Sequence, residues 1–490
     1  MPLMVQLAAI EMRMTLEDRP SSAIASACNL LLPCFAIIEA VIAQVCASSD
    51  VDQESSNITT EPPGYTQNVA SPLFPPNGFD ALFRAIREAV SATLGFFLIL
   101  SDLPAWPAAM CEDVRLRHVA HGAVRLCTVW LAEEATLLKE LYYQALPIIV
   151  SVVDIAEPNA RNSLTSMLIP GLVNSWDDVL LRNAWLTEVN VGIEERRTEA
   201  RGEETAIERN HYSSCDNEEE NASVKGKASN GTKQGLKADH TDLLRIECQR
   251  VEKSHKLQSL LVSYVASSLY TEPELACAAC DILIAILQET ESAISSPDHM
   301  LNLYSPLLDG GSFVSENLRR GTAISPPLLV RVAFLQVIVL DAMASQKEKQ
   351  SHERFKIKSA QVLKLLIYAI VSVADHGFET SPEDLELWCK AVDIVLPCIM
   401  HLAASYQDLF SLDTELEQSA LILLQWLQSS LLYSASRPST PAASSSANQV
   451  YLHAVDIFAL LVKLAFPALL PAAHRALQSN ESLLHRLLGK

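Results

Sequence analysis

The chain is 490 residues long and 49% apolar, with aromatics at only 6%, 15 glycines and a formal net charge of −21 at pH 7. That length exceeds what one compact core usually holds. The negative field repels phosphate backbones and anionic lipid, which argues against general nucleic-acid binding and against attraction to acidic membranes.

In chain order, residues 1–47 read as two helices. The first carries Leu3, Leu7, Ile10 and Met14 on one face, Glu17 to Ser22 makes the turn, and Ile24 opens the second. Residues 48–78 read as a loop, rich in Ser, Thr and Asn and holding Pro62-Pro63-Gly64 and Pro75-Pro76-Asn77-Gly78. A helix returns from Phe79 to about Leu100, with Leu82, Ile86, Ala89 and Thr93 at the spacing of one face, and Pro104 and Pro107 end it. Residues 113–155 form two apolar helical stripes joined by a short acidic turn at Glu133-Glu134. Leu164 to Leu186 read as a further helical pair broken at Ile169-Pro170-Gly171.

Residues 191–240 change character. Glu, Arg, Lys, Asn, Ser and Gly dominate, and so little apolar area cannot offset the entropy of ordering, so this segment reads as a disordered charged linker. Helices resume near Thr241. Thr271-Glu272-Pro273-Glu274 and Ser381-Pro382-Glu383-Asp384 each fit a capping box with proline in the first turn. Behind the first, Leu275, Ala279, Ile282 and Ile286 share a face; behind the second, Leu385, Trp388, Val392 and Ile399 do. Residues 328–343 and 357–374 are apolar nearly all round, as the inner helix of a stacked pair should be. Residues 435–447 read as a Ser/Ala/Pro loop, and the last helices run from about 449 to 488.

Strand signals are weak. Helical pairs recurring every ~35–50 residues match the armadillo and HEAT period. The expectation is therefore an all-α, armadillo/HEAT-like α-solenoid of stacked helical pairs, with helical segments at 1–190 and 241–490 around the charged insertion. The opening lacks a basic n-region, so it does not read as a signal peptide, and no run reaches 18 uncharged apolar residues. Four Asn-x-Ser/Thr sites, at Asn57, Asn221, Asn230 and Asn480, carry no weight without secretion. The 11 cysteines are scattered along apolar helices, as at Cys28, Cys34, Cys46 and Cys127, which suits a reducing compartment and a cytoplasmic protein.

Each chemical motif has a plainer explanation. Cys277-Ala278-Ala279-Cys280 has redox or metal spacing, yet no second pair completes a zinc site, and core packing is favoured. His118 and His121 could share a metal, but no third ligand is spaced to help and Arg115, Arg117 and Arg125 crowd them. Glu133 and Glu134 are adjacent on a helix and cannot converge on one substrate atom, so a solvated helix end is expected. Trp130 could anchor a partner, although its place on the apolar stripe favours the core. No phosphate-binding glycine loop, G-x-S-x-G or H-E-x-x-H is present, so no catalytic, cofactor-binding or metal residue is assigned and no enzyme activity or cofactor is expected.

The stretch Ala123 to Val150 resembles the neurochondrin family, whose members carry a very similar tryptophan, then Leu-Ala-Glu-Glu, a leucine-rich turn and a Leu-Pro. Val5 to Asp18 is similar to a family stretch in which a leucine-rich helix runs into an acidic pair, and Cys28-Asn29-Leu30 sits where the family has a cysteine-bearing helix. Leu164 to Gly171 before Trp176 resembles the family's leucine-rich segment ending in Pro-Gly-Trp, with the tryptophan displaced. The resemblance is clear over about 1–190 and looser over 255–480. It covers roughly the later half of a family member, the family's N-terminal repeats being absent from this sequence. It implies a non-catalytic cytosolic helical-repeat protein, found in neuronal cell bodies and dendrites. The implied roles are neurite outgrowth, synaptic signalling and negative regulation of phosphorylation of calcium/calmodulin-dependent protein kinase II. Protein partners follow, with that kinase or receptor tails as candidates and basic segments favoured by the acidic charge. The partner-binding residues are not identified by the resemblance. The alternative is a structural subunit of a larger cytosolic complex of phosphatase or trafficking type; peripheral membrane association is a third reading, resting on the apolar content.

Overall fold

The computed structural model describes residues 2–17, 19–55, 76–103, 106–134, 136–176, 254–289, 302–304, 306–307, 324–344, 352–375, 382–403, 414–434, 441–464, 466–477 and 485. Among these there is no strand; helices carry the fold. The chain divides into two compact units, Met1–Leu257 and Gln258–Lys490.

The first unit contains α1 (Pro2–Leu16), α2 (Ser21–Ser26), α3 (Cys28–Ser55), α4 (Pro76–Ser101), α5 (Trp106–Glu112), α6 (Val114–Glu133), α7 (Lys139–Asp154) and α8 (Pro158–Trp176). Setting aside the short α2 and α5, each long helix packs most heavily on the one two places along. One row runs α1, α4, α7; the other runs α3, α6, α8. This interleaving is what stacked helical pairs produce, because each pair contributes one helix to each row.

A helix over 254–268, α9, has residues 258–268 in the second unit and is followed there by α10 (Pro273–Glu289), α11 (Pro326–Ala344), α12 (His352–Asp375), α13 (Pro382–Ala403), α14 (Thr414–Ser434), α15 (Pro441–Leu464) and α16 (Leu470–Leu477). The two-row pattern recurs. α10, α11, α13 and α15 form one row, and α12, α14 and α16 the other. α11 also packs closely on α12.

Burial of aliphatic side chains holds these rows. Leu31, Phe35, Ile38 and Val41 on α3 are buried, as are Leu116, Val124, Leu126 and Leu131 on α6 and Leu164, Leu168 and Leu172 on α8. Each such side chain contributes about 1.5–3 kcal/mol. The ion pairs follow the same rows. Arg13 reaches Glu88 from α1 to α4 at 3.0 Å, and Arg125 reaches Glu39 from α6 to α3 at 2.7 Å. Lys364 reaches Glu415 from α12 to α14 at 3.2 Å. The exposed Arg13–Glu88 pair contributes about 0–1 kcal/mol, whereas Lys364 is a buried member of its pair.

Several expectations shift. The segment 48–78 is not wholly loop: α3 continues to Ser55 and α4 begins at Pro76, with 56–75 outside the described residues. Ile169-Pro170-Gly171 does not break the chain into two helices, because α8 runs through it to Trp176. Pro147 and Pro397 likewise lie inside α7 and α13. Residues 441–447 are helical rather than loop. α10 starts at Pro273, which places Glu272 rather than Thr271 at the cap position; the Tyr264 hydroxyl donates to the Glu272 carboxylate. The linker 191–240, Trp185, Ser381 and Asn480 lie outside the described residues.

The window Cys28–Cys46 within α3 is long and apolar enough to cross a membrane by length and composition, although it holds a charge and so is not an uncharged run. Its fixed role here is in packing. Phe35 and Ile38 are buried, and its one acidic residue, Glu39, is tied to Arg125.

Candidate protein-binding surface

The family-like stretch at the end of α6 is a packing knot. Asp113 caps α6, its carboxylate accepting from the backbone N–H groups of Arg115 and Leu116 at 2.9 and 3.2 Å. At the other end Trp130 is 3% exposed, and its ring lies 5.4 Å from that of Phe83 on α4. Leu131 is buried against α8, where its Cβ would come within 3.0 Å of any Cβ placed on Gly171. The Asn174 side-chain amide donates to the Ala132 carbonyl at 2.6 Å, joining α8 to α6 a second time. The Glu134 N–H donates to the Trp130 carbonyl at 2.7 Å, and the Glu134 carboxylate accepts from both the backbone N–H and the hydroxyl of Thr136.

Glu134 therefore closes the turn into α7, while Glu133 is exposed. The pair does not converge on a common point, in keeping with a helix end. Trp130 is core and not a surface anchor. Trp388 is fully buried and donates its Nε1 proton to the Leu366 carbonyl at 3.1 Å. Trp426 stacks on Tyr451 with ring centres 5.4 Å apart. None of these three tryptophans lines a groove.

On α10, Cys280 is buried and Cys277 half-buried. Burial pushes the Cys277 thiol up to about 11 and the Cys280 thiol well above its ordinary value. Both are protonated at neutral pH, and a protonated thiol is neither nucleophile nor ready metal ligand. His118 is exposed, whereas His121 is half-buried with its Nε2 buried and unpartnered. Burial first, then Arg117 and His118, lowers the His121 pKa, with Glu157 opposing. Among the described residues no group of three or more His, Cys, Asp or Glu side chains could hold a metal.

Unit two has its own internal tie. Arg331 on α11 donates to Asp281 of α10 at 2.8 Å and to the buried Asp384 of α13. Burial works against the guanidinium charge, yet the two carboxylates outweigh it and raise its pKa. Burial raises the Asp281 carboxyl, with Arg331 pulling the other way. Arg331 links three successive members of one row.

One apolar face points outward, and the sequence reading placed its residues together without giving its orientation. The α1 stripe of Leu3, Leu7, Ile10 and Met14 points to solvent, at 67%, 58%, 53% and 59% exposed, with Met4 beside it at 58%. The face of α1 packed on α3 and α4 is instead Val5, Ala8, Ala9, Met12 and Leu16, all buried. Spacing alone does not tell two apolar faces of one helix apart.

Comparison with known proteins agrees with the N-terminal part of this picture. No curated protein matches the chain. Among solved structures, a "circular tandem repeat protein with novel repeat topology and enhanced subunit contact surfaces" aligns over 100% of this chain and 97% of its own. Its identity is 11% and its TM-score 0.25, too low to bear on the fold. A family model described as Neurochondrin matches residues 1–168, the span from α1 to the middle of α8 that contains the Trp130 knot. Over residues 1–168 of 490 the chain is similar to the neurochondrin family.

Proposed function

We propose that this chain is a non-catalytic, protein-binding helical-repeat protein of the neurochondrin type. The family match over residues 1–168 carries this reading, supported by the two-row stack, a form that offers extended side surfaces to other polypeptides. The residues that mark the family are consumed in joining α4, α6, α7 and α8, so binding falls to exposed helix faces. The net charge of −21 favours basic partners and speeds their encounter.

The finer role follows from the family. The chain acts in the cytoplasm, in cell bodies and dendrites of neurons where the source has them, in signalling linked to neurite outgrowth. Its partner is calcium/calmodulin-dependent protein kinase II or a receptor tail, and its effect is to lower phosphorylation of that kinase. The test is capture of the purified kinase by the full chain at physiological salt, with autophosphorylation followed in parallel. Binding together with reduced autophosphorylation supports the role. No capture and an unchanged rate overturn the kinase assignment.

A further inference from the structure

The turn between α6 and α7 exposes a hydroxyl on irregular backbone. Thr136 lies between the end of α6 at Glu133 and the start of α7 at Lys139, and it is exposed. Leu137 beside it is 46% exposed. Both donors of Thr136 serve one acceptor. Its backbone N–H donates to a Glu134 carboxylate oxygen at 3.1 Å, and its hydroxyl donates to the same oxygen. Glu134 in turn finishes α6, its N–H donating to the Trp130 carbonyl at 2.7 Å. The hydroxyl therefore helps hold the residue that closes the turn. The charge around it is mostly negative: Glu133 and Glu134 stand three and two residues before Thr136, Lys139 and Glu140 three and four residues after.

We propose that Thr136 is a phosphorylation site for a serine/threonine kinase that reads acidic residues ahead of its target, and that the phosphate opens the α6–α7 turn. A kinase draws its target hydroxyl into a cleft on extended chain, so a hydroxyl inside a packed helix must first be unwound. Thr136 is already outside the helices and exposed, whereas Thr128 and Thr165 are buried within α6 and α8. Kinases choose among exposed hydroxyls by the charge pattern around them, and an acidic approach complements a basic substrate groove. In the transfer the Thr136 oxygen bonds to the γ-phosphorus of a nucleoside triphosphate. The bond from that phosphorus to its bridging oxygen breaks, the nucleoside diphosphate leaves with the electron pair, and the hydroxyl proton passes to the kinase's base. The product carries a charge of about −1.5 to −2 at pH 7. It has lost the proton that Thr136 gave to Glu134, and it sets a phosphate beside that carboxylate, where like charges repel. Leu138 gives α7 no side-chain cap to hold the turn from the other end. The turn loosens while buried Trp130 and Leu131 keep the end of α6 in place. The partner assigned above plays no part in this, because here the chain is the substrate.

The experiment incubates the full chain with ATP and purified casein kinase 1, which reads an acidic side chain three residues before its target, and locates the phosphate by mass spectrometry. Thr136→Ala and Glu133→Gln are treated alike. Glu133 is exposed and stands outside the Thr136–Glu134 contacts, so its substitution changes recognition and leaves the turn intact. The expected result is phosphate on Thr136, none there in Thr136→Ala, and labelling at least about fivefold slower in Glu133→Gln. Hydrogen exchange over 134–140 should be at least about tenfold faster in the phosphorylated chain than in the parent, with the helical circular dichroism kept. It should also be faster than in Thr136→Ala, which loses the hydroxyl without gaining charge. No phosphate on Thr136 overturns the site. An unchanged rate in Glu133→Gln overturns the acid-directed recognition, and exchange no faster than in Thr136→Ala overturns the opening of the turn.

Discussion

A Cβ at Gly171 would lie 3.0 Å from the Cβ of Leu131, and that single approach explains why two separate family-like stretches meet. Leu131 belongs to the tryptophan-containing stretch and Gly171 to the Pro-Gly stretch, and the glycine lets α8 lie directly on the end of α6. The atom in the way is a Cβ, fixed by the backbone and unable to rotate aside. Gly171→Val is expected to destabilise unit one by about 1–3 kcal/mol through overpacking. Gly95, with nothing within 4 Å of its would-be Cβ, is the control. Gly95→Ala should stabilise by about 0.5–1 kcal/mol through helix propensity. Thermal denaturation of both variants checks the pair, and the signs must differ.

Arg331 gives a sharper electrostatic test. Arg331→Met leaves Asp384, only 4% exposed, with its cationic partner gone, and a buried pair broken on one side costs about 3–5 kcal/mol. Replacing the exposed Arg13 by Met should cost less than about 1 kcal/mol, although it too spans two helices. Combining Arg331→Met with Asp384→Asn should recover part of the loss. Urea denaturation measures all three.

His121 predicts a pH dependence. Its folded pKa lies below the ordinary value of 6.5, so the unfolded chain takes up a proton first as the pH falls. Stability contributed by the neutral ring is fully present above 6.5 and is lost as the pH drops through that value toward the lower folded one. His121→Gln, which cannot titrate, should show a shallower fall in melting temperature between neutral pH and the folded pKa. Melting curves across that range decide it; parallel slopes would remove His121 as the cause.

Much of this was legible before any coordinates. The α6–α7 pair, the buried face of α13 with Trp388, and the packing role of Trp130 and Cys280 all follow from apolar spacing, because burial on a helix leaves a 3.6-residue signature. The continuity of α8 through Pro170-Gly171 did not follow. A Pro-Gly step reads as a break from local propensity, and only the packing against Leu131 shows why the helix persists. The outward turn of Leu3, Leu7, Ile10 and Met14 was equally hidden. α1 has apolar residues on two faces, and the choice between them was made by α3 and α4, far along the chain. Arg331 was missed as well, since its two aspartates lie 50 and 53 residues away and no local spacing joins them.

The central claim, that in unit one each long helix docks on the one two places along once the short α2 and α5 are set aside, is tested most directly at Gly122 of α6 and Phe35 of α3. A Cβ at Gly122 would meet the Phe35 ring at 2.7 Å. A double-mutant cycle of Gly122→Ala and Phe35→Ala, read by chemical denaturation, measures that contact in solution. The account predicts that Gly122→Ala destabilises the parent but is neutral or stabilising beside Phe35→Ala, a coupling of about 1 kcal/mol or more. Equal effects of Gly122→Ala in the two backgrounds would mean that α3 and α6 are not neighbours, and would contradict the two-row stack.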